Sequence, residues 1–482
     1  MSRITNNIPA VISQRELSGS QRALSTSLQR LSSGLQINRG ADDPAGLIVS
    51  ERLRSEISAV NQAIDNSERA INVIATTEGA INEVNRLLTD IQSLVVEAAN
   101  RGAFSDEEVN ANQLQIDEAI EAITRIANTT TFAGRKLLDG SLDYVTSGIN
   151  YNALADVDVV AANFGRSDYI PINVAVASAP LQAEVIYPAG SLGASGVSID
   201  MQGPKGIVTL NFPANTSVND IVTAINNQGE ATGVEAALVS ATDPSQGMRI
   251  FSTEYGSKSF VSIGTLEGSA PLNLQDISGQ PVADGSRVQG HDAVAFINGA
   301  ATTSDGLKLS LRNYQAKLDI LLDPAMGVGS TDFSITGGGS LFQLGPRVNT
   351  NQQLNVGVPA MQANKLGNRN IGFLSQLTSG QEFALQTDNF DKASDIVDAV
   401  ITQVASLRGR LGAFERNNLR PNITQLQITA ENLTSSESVI RDTDFAKETT
   451  ELTRAQILVQ AGTSVLAIAN AQQQNVLSLL GG

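Results

Sequence analysis

Apolar residues recur with helical spacing near both ends of the chain, from residue 1 to about 140 and from about 380 to 482. In residues 53–74 and 393–414 the steps between seam positions, all apolar except Ser67, alternate between four and three. This 3.5-residue period gives a helix one narrow apolar face, which must pack against a partner helix. The pattern therefore predicts a long antiparallel helical bundle, or coiled coil, formed by an N-terminal and a C-terminal arm.

Local signals predict where these helices begin and end. Asp43 can cap a helix that starts at Pro44, because proline loses no hydrogen bond at the first helical position. Ser105 and Glu108 form a capping box, in which each side chain satisfies a free amide of the other residue. Pro421 should kink or interrupt its helix, since it lacks an amide hydrogen. A second interruption is predicted at residues 441–445.

The two terminal helices have shorter apolar stripes and more polar flanks than the arms between them. We therefore expect the terminal stripes to be buried against other copies of the chain, whereas the long arms bury their stripes within it. The candidate self-assembly residues are Leu24, Leu28, Leu31, Leu35, Leu458, Ala461, Val465, Ile468 and Leu479.

The region between the arms is rich in Gly, Pro, Ser, Thr and Val and alternates apolar with polar residues, which is typical of β-strands. Residues 207–212, 234–240 and 248–252 are predicted strands, and Ser217 with Asp220 caps a short predicted helix between the first two. These elements form a small αβ module. The predicted fold class is thus α+β, with helical arms and a β-rich central insertion that contains this module.

Charge and composition exclude several classes of function. The formal net charge of −17 argues against a nucleic-acid binder, because phosphate contacts need clustered Lys and Arg. Without cysteine there are no disulfides or thiolate metal sites, and one histidine, His291, leaves few imidazole-based catalytic arrangements. No apolar run approaches the roughly 18 residues of a membrane span, and no secretory signal is evident. The sequence predicts a non-enzyme with no cofactor or metal, and with no membrane or nucleic-acid partner.

Segments at both ends and in the middle of the chain carry a family resemblance. The N-terminal arm contains LQRLSSGLQINRGADDPAG at residues 28–46, and the C-terminus contains RAQILVQAGTSVLAIANAQQQNVLSLL at 454–480. These resemble the N-terminal and C-terminal signatures of bacterial flagellins. Residues 211–236, NFPANTSVNDIVTAINNQGEATGVEA, resemble the small module that flagellins share with hook-associated proteins. The chain is accordingly identified as a member of the flagellin family.

The resemblance implies a structural subunit of the extracellular flagellar filament, which the flagellar type III apparatus exports unfolded and without a cleavable signal peptide. The implied partners are other copies of the chain, an export chaperone on the C-terminal helix, the filament cap and hook-associated proteins. Asp42 and Asp43 match a turn that lies at subunit contacts in this family. Members sensed by the animal innate receptor usually carry Arg and Glu where this chain has Asp90 and Ser93, and only Leu94 is kept. Because a reversed charge opposes binding, we expect poor recognition by that receptor.

The patterns and the resemblance together predict five segments. These are an N-terminal filament-core helix at residues 1–44, an N-terminal helical arm with a hairpin at 45–165, a variable surface-exposed β-rich region at 166–345, a C-terminal helical arm at 346–440 and a C-terminal filament-core helix at 441–482. The αβ module is expected at about residues 190–262. Two alternatives remain open, a hook–filament junction protein and a surface adhesin that acts through the central region.

Overall fold

The computed structural model describes residues 7–102, 105–165, 167–240, 242–266 and 272–480, with side chains through residue 472. The chain forms two compact units. The first comprises Met1–Ile71, Gln343–Gln352 and Arg416–Gly482, and the second comprises Asn72–Phe342 and Gln353–Glu415.

The helices are α1 Ile8–Ser33, α2 Pro44–Ala98, α3 Asp106–Thr129, α4 Val218–Asn226, α5 Gly229–Thr232, α6 Phe390–Phe414, α7 Arg420–Arg441 and α8 Phe445–Leu480. The strands are β1 Thr131–Phe132, β2 Arg135–Lys136, β3 Tyr144–Ser147, β4 Leu154–Ala162, β5 Ile170–Ser178, β6 Gln182–Tyr187, β7 Val197–Gln202, β8 Ile207–Phe212, β9 Val234–Leu238, β10 Met248–Tyr255, β11 Phe260–Thr265, β12 Arg287–Gln289, β13 Val294–Ile297, β14 Ala300–Ala301, β15 Thr303–Asp305, β16 Lys308–Arg312, β17 Ala316–Leu322, β18 Gly329–Gly338, β19 Ser340–Gln343, β20 Gln353–Val356, β21 Gly367–Asn368 and β22 Gly372–Phe373.

The helix ends follow the predicted signals. The Asp43 carboxylate accepts the amide of Gly46 at 2.9 Å and so caps α2. The capping box of Ser105 and Glu108 is present at the start of α3. α1 ends because Gly34 takes a left-handed conformation, with φ of 74°, and its amide donates a hydrogen bond to the carbonyl of Arg30. The interruption predicted near Pro421 is a π-helical turn at Glu415–Leu419, directly before α7.

In the first unit, α1 packs on α8, and the first part of α2 packs on α7. Val60 and Ala63 of α2 form a small apolar cluster with Leu426 of α7. The side-chain amide of Asn422 at the start of α7 donates to Ser67 at 3.2 Å and to the carbonyl of Leu344 at 2.8 Å. The predicted pairing of the N-terminal and C-terminal arms is confirmed, because both pairs join the two ends of the chain.

In the second unit, α6 buries one apolar face along its length. The sequence predicts apolar positions along α6 at alternating steps of four and three residues. All of them except the last are buried, namely Ala393, Val397, Val400, Val404, Leu407 and Leu411. α3 is fixed by Gln113, whose buried side chain donates to the carbonyl of Leu377 and accepts the amide of Leu385. These bonds satisfy both the donor and the acceptor of the buried Gln113 amide, and they hold α3 against the segment that precedes α6.

The β-rich part of the second unit begins with two packed antiparallel sheets. Within the described residues, sheet A has the strand order β14-β13-β5-β18-β3 and sheet B the order β15-β16-β17-β4. Their inner faces share one apolar core, to which Val174 and Phe333 contribute from sheet A and Leu309 and Ile320 from sheet B. Residues alternate along each strand, so the other face of sheet A is turned away from this core.

The predicted αβ module follows β5 in the chain. Its sheets have the strand orders β6-β10-β9 and β12-β11-β7-β8 within the described residues, and α4 packs with them. Ile221 and Ile225 of α4 share a core with Ile199 and Ile250. Ser217 caps α4 through the amide of Asp220, as its sequence predicts.

Candidate assembly surface on the terminal helices

The two ends of the chain meet in the antiparallel pair of α1 and α8. The side-chain amide of Asn7, just before α1, donates to the carbonyl of Ala469 at 3.1 Å. Farther along α1, Leu17 lies against Gly462, and an Arg30 guanidinium nitrogen lies 3.6 Å from a carboxylate oxygen of Glu448. Residue numbers rise along α1 as they fall along α8, so these three contacts fix both the direction and the register of the pair.

Each helix faces the other with a stripe in which small residues alternate with larger ones. The stripe of α8 contains Glu448, Leu452, Ala455, Val459, Gly462, Leu466 and Ala469, and that of α1 contains Ala10, Ser13, Leu17, Ser20, Leu24, Ser27 and Leu31. In this register most of the larger aliphatic side chains lie opposite a small residue of the other helix. A Cβ atom on Gly462 would lie 3.2 Å from Leu17. The small residues therefore let the helices approach closely, and this separation depends on the side chains between them.

A second apolar stripe of α8 faces away from α1. Leu458, Val465 and Ile468 are 48%, 51% and 61% exposed, and Ile457 and Ala461 beside them are exposed as well. These residues span somewhat more than a quarter of the helix circumference, because a helix turns about 100° per residue. Exposed aliphatic side chains that are contiguous, rather than scattered, mark an interaction surface. We call these residues the outer stripe of α8.

By length and composition alone, Phe445–Gln472 in α8 could cross a membrane. The mean hydropathy of this stretch is 1.2, and only 11% of it is buried. The expectation from the sequence that no stretch is apolar enough for a span is wrong by this measure. A single helix of this kind is weak evidence for a membrane, and here its opposite side packs on α1. A helix that faces lipid alone is instead apolar all round.

The candidate residues of α1 differ in how far they are buried. Leu24 and Leu31 are half-buried on the side that faces α8, whereas Leu28 is 50% exposed. Ile8, Val11 and Ile12 are also exposed, near the N-terminus of α1. Leu35 lies in the turn after α1 and is half-buried. Leu479 belongs to the last turns of α8, and its side chain lies outside the described residues.

The turns that end α1 and begin α8 are hydrogen-bonded to each other. The amide of Gln36 donates to the carbonyl of Arg441 at 2.7 Å, and the amide of Thr443 donates to the carbonyl of Gly34 at 2.9 Å. The Arg441 side chain reaches Glu51 at 3.0 Å. These contacts join the start of α2 to the end of α7, so the break between the arms and the terminal helices is an ordered joint.

Asp42 and Asp43 complete this joint. Asp42 accepts the amides of Asn38 at 3.0 Å and Arg39 at 2.8 Å through one carboxylate oxygen, while Asp43 caps α2. The hydrogen bond from the Arg39 amide lowers the pKa of Asp42 below its usual value. Both side chains remain exposed, so the oxygen of each that has no role in the turn faces solvent.

The stretch predicted from the sequence to correspond to the innate-receptor contact lies on α2 within the second unit. Asp90 is exposed and pairs with Arg86 at 2.8 Å, and the Ser93 hydroxyl bonds back to the Asp90 carbonyl. Leu94 is half-buried. The Asp90–Arg86 pair is an exposed i,i+4 pair, which contributes little to stability.

The described residues contain no cluster of three or more His, Asp and Glu side chains placed to hold a metal ion. His291 is exposed and pairs through its backbone with Leu181.

Three family models match the chain. They are described as the bacterial flagellin N-terminal helical region, the bacterial flagellin C-terminal helical region and the flagellin hook IN motif, and they match residues 4–143, 394–480 and 196–254. A flagellin of Salmonella muenchen is 31% identical over 525 aligned residues, and the alignment covers 99% of both chains. The chain belongs to the bacterial flagellin family. The B-type flagellin of Pseudomonas aeruginosa is 30% identical, again over 99% of both chains.

Flagellins are the structural subunits of the extracellular flagellar filament, and the chain is such a subunit. A solved structure described as FliC from Burkholderia pseudomallei shares 14% identity over 72% of this chain and 99% of that chain, with a TM-score of 0.24. It is too distant to inform the details of this fold. The two helical matches cover α1–α3 and α6–α8, and the hook IN motif lies within the αβ module.

Sequence periodicity missed one part of the terminal pair. The stripe of α8 that faces α1 was not among the predicted positions, because the larger residues alternate in it with small ones, Ala455, Gly462 and Ala469. Their spacing of seven residues, matched by Ser13, Ser20 and Ser27 on α1, is the signal that could have identified it.

Proposed function

We propose that the chain polymerises by burying the outer stripe of α8 against helices of neighbouring copies. The supporting observation is that α8 already packs on α1 with one side, yet keeps further large aliphatic side chains, among them Leu458, Val465 and Ile468, exposed on another. Full burial of a Leu, Ile or Val side chain contributes about 1.5–3 kcal/mol. Leu458, Val465 and Ile468 are about half exposed, so several kcal/mol of gross stabilisation per subunit remain to be gained by association.

The exposed apolar residues of α1 add to this proposed interaction surface. Leu28, Val11 and Ile12 extend the exposed apolar area of the terminal pair onto the second helix. Leu24 and Leu31 then act indirectly, because they hold α1 against α8 so that both outer sides are presented together. Leu35 and Leu479 belong to the same proposed interface, and Asp42 and Asp43 would contribute their free carboxylate oxygens to contacts between subunits.

A charge placed in the outer stripe tests this proposal. Val465→Asp should abolish seeded polymerisation of purified monomers, because an unpaired carboxylate cannot be buried in a dry interface without a large cost. Ala467→Asp is the matched control, since Ala467 is an exposed residue two positions away on the polar side of the same helix. Sedimentation of polymer after seeding measures both variants. Polymer formation by Val465→Asp at the wild-type level would refute the assignment.

The partners and route of export follow from the family assignment and are part of this proposal. The chain would leave the cell through the flagellar export apparatus without a cleavable signal, with a chaperone bound to α8 before export. The exposed outer stripe supports this, because an apolar surface that is not yet buried by another subunit would promote aggregation in the cytoplasm unless a chaperone bound it. The filament cap and hook-associated proteins would contact the same terminal helices. Loss of chaperone binding in a truncation that lacks α8 would be the expected result.

We further propose five functional segments and no catalytic role. The segments are filament-core helices at residues 1–44 and 441–482, helical arms at 45–165 and 346–440, and a variable surface region at 166–345. Recognition by the animal innate receptor would be weak, because Asp90 places a negative charge where sensed relatives usually carry Arg. A receptor-activation assay with Asp90→Arg beside the wild type would show a gain in signal.

A further inference from the structure

A groove lies on the outer face of sheet A, where three neighbouring strands run side by side. β5 pairs with β18 so that Asn173 is opposite Asp332 and Pro171 is opposite Ser334, and Ser334 is in turn opposite Ser147 of β3. Phe333 and Ile335 point into the core, so Asp332 and Ser334 between and beside them point outward. The groove has a volume of about 710 Å³, which is within the range of small-ligand sites.

Hydrogen bonds hold one end of the groove in a fixed arrangement. Asn298 and Gly299 both have positive φ, at 50° and 78°, and form the two-residue turn between β13 and β14. The Asn298 side chain accepts the amide of Asn173 at 2.8 Å and donates to the carbonyl of Pro171 at 2.9 Å. The Asn173 side-chain amide donates to Asp332 at 2.7 Å. These polar groups are therefore ordered before any ligand arrives, which lowers the entropic cost of binding.

The other end of the groove offers an aromatic ring. Tyr169, one residue before β5, is 55% exposed and lines the cavity together with Thr336. Asn173 and Asp332 are both exposed within it. Of the residues that line the groove, one is acidic and none is Lys or Arg. An anionic ligand would therefore meet repulsion without compensation, whereas hydroxyl groups would find carboxylate, amide and hydroxyl partners.

A solvated sheet face is often merely polar, which is the simplest explanation for this surface. Two observations distinguish the groove from an ordinary solvated sheet face. The surface is concave and its polar side chains are tied together, and the same face elsewhere exposes apolar side chains, including Val294 and Phe296 of β13. The polar groups are thus concentrated in the groove rather than spread over the sheet.

We propose that this groove binds a neutral oligosaccharide, with one sugar face against Tyr169 and ring hydroxyls bonded to Asp332, Asn173 and Ser334. Sugar rings have an apolar face and a rim of hydroxyl groups, which match an aromatic ring beside fixed acceptors. The inference is independent of polymerisation. In a filament the same groove would be repeated along the polymer, so weak single sites would bind a glycan-coated surface with avidity.

Binding is tested with the full-length monomer and with assembled filaments. Fluorescently labelled filaments are applied to immobilised lactose, N-acetyllactosamine, maltotriose and sialyllactose, and monomer is titrated with the sugars retained. The expected result is retention on at least one neutral sugar and lower retention on sialyllactose. No retention on any neutral sugar, or preference for sialyllactose, would overturn the proposal.

Variants locate the binding. Tyr169→Ala should weaken monomer binding about tenfold, whereas Tyr314→Ala, at a tyrosine that is 78% exposed on the hairpin between β16 and β17, should leave it unchanged. Ser334→Trp fills the groove from a partly exposed position and should abolish binding with an unchanged circular dichroism spectrum. Equal affinities for wild type, Tyr169→Ala and Ser334→Trp would contradict the assignment, as would occupation of the groove by another copy in the filament.

Discussion

α6 and α8 both come from the C-terminal part of the chain, yet they differ in how much of their apolar surface is covered. α6 has 25 residues, and six of its seam positions are at most 2% exposed. α8 has 36 residues, and among its described side chains only Glu448, Ala455 and Ala469 are buried. The longer helix therefore contributes fewer buried side chains. α6 is a completed core helix, whereas α8 keeps most of its apolar surface available.

The kind of residue on each side explains this difference. α6 turns large aliphatic residues such as Val404 and Leu411 toward its own unit, so folding itself gains their burial. α8 turns small residues such as Gly462 toward α1 and keeps Val465 and Ile468 outside. Two helices can thus have similar apolar content, although one stabilises the monomer. The other buries its apolar side chains, and so contributes to stability, only when subunits associate.

The largest expected effect separates folding from assembly. Val404→Asp should lower the free energy of unfolding of the monomer by about 3–5 kcal/mol, because it leaves an unpaired charge in the core. Val465→Asp should change it by less than about 0.5 kcal/mol, since that residue is half exposed in the monomer. Urea unfolding followed by circular dichroism measures both. Similar losses in the two variants would mean that α8 is as much a core helix as α6.

A second, smaller effect concerns the inner side of α8. Gly462→Leu should loosen the pair of α1 and α8 by about 1–3 kcal/mol, because the added side chain would overlap Leu17. Gly19→Leu is the matched control in α1, where no atom lies within 4 Å of an added Cβ. Hydrogen exchange of α1 amides in the monomer measures the loosening. Equal protection in the two variants would show that the close approach at Gly462 does not hold the pair together.

Periodicity predicted α6 well because its seam consists of large aliphatic residues, which dominate any hydrophobic pattern. The same reasoning found the outer stripe of α8 but not the side that packs on α1, where small residues such as Ala455 and Gly462 stand between the larger aliphatic ones. It also grouped Leu24 with Leu28, although Leu24 is half-buried and Leu28, one turn farther along α1, is exposed. A sequence pattern indicates that a helix face is apolar, but it does not say which partner will cover that face.

The groove on sheet A could not be predicted for a different reason. Asn173 and Asp332 are far apart in the chain and become neighbours only because β5 pairs with β18. The αβ module is inserted between β5 and β13, which hides this adjacency from any local pattern. Local strand signals located single strands such as β8, at residues 207–212. The strand order instead depends on long-range pairing that a single sequence does not specify.

The smallest expected effect concerns the joint beside the terminal pair, and it should be visible in the monomer because that joint is complete within one chain. The Arg39 amide lowers the pKa of Asp42, so the ionised carboxylate stabilises the fold above the ordinary pKa of 3.8. This contribution is lost as the pH falls from there through the lowered pKa of the folded state. Asp42→Ala should therefore lower the melting temperature slightly near neutral pH. The difference from the wild type should shrink in strong acid, where the wild-type carboxylate is protonated too. A difference that stays constant across this range in calorimetric scans would show that Asp42 acts through its shape and not through its charge.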